Sequence, residues 1–250
     1  MAPDVPAGTA TPEVRCAMST QALQLIVSVI SVLLIIFSAS LHEFGHAYAA
    51  HLCGDDTAKE QGRLTINPLA HIDPFGSVVL PLILVLSGFG YMAYAKPVPY
   101  NPYRLKNPAR DEMLVALAGP LCNLIQAAVG SVLFHLALLL LYGDTHNFFY
   151  FYFVGSELDA WIPLILQLYV QINCSLAVFN LLPIPPLDGS KIISPLFKGE
   201  ARNLYYKVQY YALPITMALI WLVPTIFHVD PVGYLLSITA GNLSSFLLGW

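Results

Sequence analysis

The chain alternates long apolar runs with short polar stretches marked by proline and glycine, and several of the runs are of membrane length. One unbroken helix is predicted from about Gln21 to Leu52, closed by Gly54 as a C-cap, since Ala22 to Ser40 contains no charge and no helix breaker. Further apolar helices are predicted over about Asp111 to Tyr142, Trp161 to Leu182, Tyr210 to Phe227 and Val232 to Trp250. Pro183 to Gly189 carries Pro183, Pro185 and Pro186 and cannot continue a helix. Gly76 to Tyr94 is apolar too, but Pro81, Gly88 and Gly90 interrupt it. Asp55 to Pro74 is polar and punctuated, and reads as a surface loop. Residues 1–20, rich in Pro, Ala and Thr, read as a flexible tail, which leaves 21–250 as a single membrane-embedded domain. The expected fold is an all-α polytopic membrane protein with about five or six transmembrane helices.

Composition agrees with a lipid bilayer as the surrounding medium. Of the 250 residues 57% are hydrophobic and only 10% are charged, too few to give a soluble domain a polar surface. The net charge of −4 is dispersed and no long basic block exists, which excludes nucleic acid as a partner. Cys16, Cys53, Cys122 and Cys174 show no CxxC spacing and read as small apolar packers.

Candidate chemistry is concentrated in His42-Glu43-Phe44-Gly45-His46, near the end of the first apolar helix. Side chains four apart share a helix face, so His42 and His46 can offer two imidazole nitrogens to one metal ion. Neutral imidazoles suit Zn²⁺, and a neighbouring carboxylate, here Glu43, can act as general base toward water activated by the metal. A catalytic zinc site usually has three protein ligands and one open position. Asp188, an acid just after the proline-rich break, is the best third candidate; alternatively it caps a short segment beginning at Gly189. His51, His71, Asp73, His135, His146 and His228 lie in loops or point elsewhere. Asn123 is a neutral amide in an apolar helix, able to hold a peptide carbonyl near the metal or to tie two helices together. Gly119-Pro120 would open that helix locally and let another backbone approach.

Lys and Arg occur around residues 59–63, 96–110 and 191–207 and are missing from 143–159, which places the three basic loops in the cytoplasm of a multi-pass cell-membrane protein. The His42–His46 end of the first helix, the start of the Asn123 helix and the Asp188 turn then share the cytoplasmic side. A single crossing by Gly76–Tyr94 would put Lys96, Arg104, Lys106 and Arg110 outside and move Asn123 away from His42. That segment is therefore predicted to enter and return as a re-entrant or hairpin element, turning near Ser87-Gly88-Phe89-Gly90.

Three stretches, taken in order, resemble the signature motifs of the site-2 protease family of intramembrane zinc metalloproteases. They are His42-Glu43-Phe44-Gly45-His46, Ala118-Gly119-Pro120-Leu121-Cys122-Asn123, and Asn180-Leu-Leu-Pro-Ile-Pro-Pro-Leu-Asp188-Gly189. The resemblance runs from about Val29 to Pro195, and Gly62–Pro68 and Lys96–Pro99 are similar to the compact bacterial branch, without PDZ or CBS domains. It implies one Zn²⁺ per chain held by His42, His46 and Asp188, with Glu43 activating water and Asn123 helping to position substrate or stabilise the oxyanion. It also implies a transmembrane protein or peptide as substrate, cleaved in or next to its membrane segment. The edge of the Gly76–Tyr94 hairpin could, on backbone grounds alone, pair with an unwound substrate strand. The rival reading is a zinc-binding transporter or scaffold without hydrolysis; clustering of the polar groups at one depth favours the enzyme.

Overall fold

The computed structural model describes residues 20–87, 92–143, 157–197 and 199–250. The N-terminal tail, the turn expected at Gly88 to Gly90 and most of the 143–159 loop lie outside the described residues.

Helix α1 spans Thr20–Leu52 and its 33 residues give a rod about 50 Å long, well over the roughly 30 Å of bilayer hydrocarbon. Gly54 follows it in the left-handed region at φ +104°, which suits the residue expected to end the helix. After the single turn α2 (Thr57–Glu60), a π-type turn over Pro74–Val79 leads into α3 (Leu80–Ser87). The second long helix, α4, spans Pro108–Tyr142, with Pro108 at its first turn and Gly143 closing it at φ +71°. It runs continuously through Gly119-Pro120, so the local opening expected there does not occur. Then come α5 (Glu157–Asn180), the short α6 (Asp188–Ile193), α7 (Glu200–Phe227) and α8 (Pro231–Leu248).

Helices α1, α4, α5 and α8 are long and apolar enough to cross a membrane. Counting α7, which bends by 58° where Pro214 begins its second half, as one span brings the described residues to five. Helix α4 packs most extensively on α5 and on α1, and α8 closes against α5. Ala127, Phe134, Leu138, Val170, Cys174, Ala240 and Leu248 form the core where α4, α5 and α8 meet. Gly130 permits the close α4–α5 approach, because a Cβ there would stand 2.8 Å from the Tyr169 ring. The outer face of α4 shows Leu133, Leu136 and Leu140, the last 75% exposed, as a lipid-facing surface requires.

The hairpin expectation is met by the described residues on either side of its turn. Pro74–Ser87 contains too few residues to cross, at about 1.5 Å of rise each. The chain then comes back to its starting point: Tyr94 N donates to Gly76 O (3.1 Å), Ser77 Oγ to Tyr94 O (2.8 Å) and Lys96 N to His71 O (2.8 Å). Residues 92–100 run on as an extended segment, and Pro97 and Pro99 hold the residues before them in that conformation.

The polar stretch 55–74 is not the simple surface loop that its composition suggests. Asp55, His71 and Arg63 are buried. Arg63 donates through Nη2 to Lys96 O (2.6 Å), and Asp55 accepts from the backbone N–H of Thr57 (3.0 Å) and of Asn101 (2.5 Å). Buried backbone carbonyls and amides need partners, and these side chains supply them, fastening the extended segment to the end of α1.

Candidate metal centre

His42 and His46 stand one helical turn apart on α1 with their rings edge to face, centroids 4.6 Å apart. Asp188 reaches them from the first position of α6. Nε2 of His42, Nε2 of His46 and Oδ2 of Asp188 form a nearly equilateral triangle with sides of 3.0, 3.1 and 3.1 Å. Asp188 is the first residue within α6, whose N-cap is Leu187. Its carboxylate is turned toward the imidazoles, and Lys191 Nζ donates to its other oxygen at 3.2 Å.

The outer nitrogens decide what those three inner atoms can do. His46 Nδ1 lies 2.6 Å from the carbonyl oxygen of Val115, which can only accept, so this nitrogen carries the proton. His42 Nδ1 lies 2.5 Å from the side-chain oxygen of Asn123 and donates to it. In the neutral imidazoles, the form that binds a metal, both Nε2 atoms then present lone pairs, and with the carboxylate oxygen they make three acceptors in contact with no donor among them. A cation resolves that repulsion. In a tetrahedral site with bonds of about 2.0–2.1 Å the ligand atoms stand roughly 3.3 Å apart, so the observed triangle fits Zn²⁺.

Room for the rings comes from Gly119. A Cβ at that position would overlap Nε2 of His46 and lie 2.6 Å from Cε1 of His42. Gly45 allows α4 to approach α1 in the same region, where a Cβ would be 2.9 Å from Ala118 O. The glycine that the sequence marks as a helix-opening residue thus acts by subtraction, making space against an intact helix. Gly189 has a similar part, since a Cβ there would overlap the carbonyl oxygens of Leu181 and Leu182 just before the Asp188 turn.

A cleft of about 610 Å³ opens beside the triangle. His42, Glu43, His46 and Asp188 line it, together with Ala93, Tyr94, Ala95, Pro97 and Val98 of the extended segment. Oε2 of Glu43 accepts a hydrogen bond from Val98 N at 2.7 Å. Burial, with Asp73 nearby, raises the Tyr94 phenol in the cleft wall above its ordinary pKa.

Each residue singled out in the sequence is placed near this centre, but Asn123 is not in the cleft lining. It lies behind His42, fully buried, with its amide shared between His42 and Asn173. Asn180, quoted above only as part of a motif, does line the cleft. Asn173, also fully buried, was not singled out. It carried the same signal as Asn123, one neutral amide within an apolar helix.

Two imidazoles and a carboxylate, joined near the end of a membrane-length helix with a glutamate beside them, could hold a metal ion. Residues 30–223 match the profile of peptidase family M50, and the chain belongs to that family, the site-2 proteases. It is 37% identical over 188 residues to YwhC of Bacillus subtilis (strain 168), covering 75% of this chain and 78% of that one. It is 30% identical over 226 residues to Rip2 of Mycolicibacterium smegmatis, covering 86% and 79% respectively. It is likewise 30% identical over 225 residues to Rip2 of Mycobacterium tuberculosis (strain ATCC 25618 / H37Rv), covering 85% and 78%. All three relatives carry the name "putative zinc metalloprotease". No solved structure matches the chain. The protein is therefore a membrane zinc metalloprotease, a hydrolase, and the transporter or scaffold reading is set aside.

Proposed function

We propose that the protein is an intramembrane endopeptidase that hydrolyses a peptide bond in or next to the transmembrane segment of another membrane protein. The observation that carries this reading is the cleft: the three converging ligand atoms open onto it between membrane-length helices, alongside a length of extended backbone. His42, His46 and Asp188 would hold the zinc, which when bound supplies positive charge to polarise a peptide carbonyl and to activate water. Glu43 takes the proton of the attacking water and hands it to the leaving amine. Its carboxylate is kept in place for that work by the Val98 N–H.

A peptide bond inside a helix is shielded and its carbonyl already hydrogen-bonded, so the substrate must unwind before cleavage. The extended segment supports a way of holding it unwound. Tyr94 and Lys96 turn their N–H groups toward Gly76 and His71, so the alternate backbone groups of Ala93 and Ala95 face the other way. Both alanines line the cleft, where a substrate strand could pair with them.

The basic residues of the connections at 59–63, 96–110 and 191–207 support an active site toward the cytoplasmic side. The test of the activity is incubation of the purified protein with a model single-span substrate, with and without a zinc chelator. Cleavage within or beside the span, stopped by chelation and restored by zinc, is the expected result. Cleavage that ignores the chelator, or no cleavage of membrane-span substrates by active preparations, would overturn it.

A further inference from the structure

Behind the metal centre, away from the cleft, a buried chain of amides crosses from α4 to α5 and back to α1. Asn123 Nδ2 donates to Asn173 Oδ1 at 2.9 Å, and Asn173 Nδ2 donates to the backbone carbonyl of Tyr169 at 2.9 Å and to Ser38 Oγ at 3.0 Å. Asn123, Asn173 and Ser38 are all fully buried, so each partner is chosen from protein groups alone.

We infer that Asn123 and Asn173 form a positioning pair that fixes the tautomer of His42 and thereby aims its Nε2 lone pair at the metal. The inference rests on the zinc-site reading above and replaces contact with substrate as the role of Asn123. Its logic starts at a group that cannot change. The Tyr169 carbonyl only accepts, so the Asn173 amide must present nitrogen to it and oxygen to Asn123. Asn123 must then present nitrogen to Asn173 and oxygen to His42. An amide oxygen only accepts, so His42 carries its proton on Nδ1 and leaves Nε2 bare. With either amide turned over, two oxygens would face each other in a dry interior, and with Asn123 turned over the His42 proton would be displaced to Nε2, inside the triangle. That proton would occupy the position the metal needs. His46 has no such relay because Val115 O fixes it directly. The two histidines reach one tautomer by different means, a backbone carbonyl in one case and two side-chain amides in the other.

Groups that orient a metal-bound histidine typically change metal affinity by about 10–100-fold when removed. Purified Asn123→Leu, Asn173→Leu and Asn123→Asp proteins are compared with the parent for zinc affinity, by competition with a chromogenic chelator. The d–d absorption of the cobalt-loaded form and the thermal midpoint of the metal-free form are recorded in parallel. Asn123→Leu is expected to weaken zinc by about 10–100-fold and to alter the cobalt spectrum. Asn173→Leu is expected to do the same to a smaller degree, since the Asn123 amide remains but is free to turn. Asn123→Asp keeps an acceptor for His42 Nδ1–H and is expected to retain near-parental zinc affinity, even where the mismatch with Asn173 lowers the thermal midpoint. A lower midpoint in the leucine variants with unchanged zinc affinity and cobalt spectrum would make the pair helix-packing polar contacts only, and overturn the inference. Should the leucine variants not fold, Asn123→Asp decides: zinc affinity lost from a folded protein overturns it. His46→Ala serves as control. Zinc stoichiometry unchanged in that variant would mean that the zinc site itself is misplaced, a failure separate from that of the amide pair.

Discussion

The backbone N–H of Val98 donates to Oε2 of Glu43 across 2.7 Å, joining the extended segment after the hairpin to the glutamate of the metal-binding helix. Val98 lies between Pro97 and Pro99, so its amide is the single N–H in that three-residue stretch. A hydrogen bond to a charged group contributes about 1.5–3 kcal/mol. If Glu43 is the base, Val98→Pro should lower turnover by roughly ten- to a hundredfold while leaving bound zinc unchanged. Val98→Ala, which keeps the N–H, should be near parental. Equal effects of the two substitutions would mean that the side chain, not the amide, matters.

Glu43→Gln should abolish proteolysis and retain about one equivalent of zinc, because Glu43 stands outside the three-atom triangle. Metal analysis of the purified variant checks this, and loss of zinc would make Glu43 a ligand.

Asp188→Asn should lower zinc occupancy, since an amide oxygen is a poorer ligand than a carboxylate. Metal analysis of the purified variant, with its thermal midpoint recorded in parallel, checks this. A large loss of stability with normal zinc content would restore a structural role for the side chain.

Gly119→Ala adds one methyl group where both imidazoles pass, and should weaken zinc binding far more than Gly241→Ala, whose new Cβ would meet nothing nearer than 3.9 Å. Zinc competition on the two variants gives the comparison. Similar affinities would show that the rings have room to move aside.

The cytoplasmic placement of the 96–110 connection is tested with single cysteines in a background lacking Cys16, Cys53, Cys122 and Cys174. Tyr103, 95% exposed, is a suitable site, whereas Leu105 is buried and would resist labelling on either side of the membrane. Tyr103→Cys should react with an impermeant thiol reagent only after cells are opened. Ready labelling of intact cells would reverse the proposed orientation.

Sequence by itself determined the features that depend on spacing along one chain. Charge-free runs of membrane length became α1, α4, α5 and α8, with Gly54 ending α1 as expected. The four-residue interval of His42 and His46 put both on one face, because helix geometry allows no other outcome. Sign and position of the Lys and Arg residues were enough to require that Gly76–Tyr94 return, and Tyr94 does return to Gly76. Only the tertiary structure decided where side chains from different helices point. A shift of one position rotates a side chain by about 100° around its helix, so an amide in an apolar helix can face a cleft or a neighbour with the same local sequence. Packing turned Asn123 behind His42 and toward Asn173, and brought the Asp188 carboxylate against both imidazoles. Packing also drew the polar stretch 55–74 inward, since the backbone carbonyls and amides of the extended segment had no partners of their own and Arg63 and Asp55 could supply them.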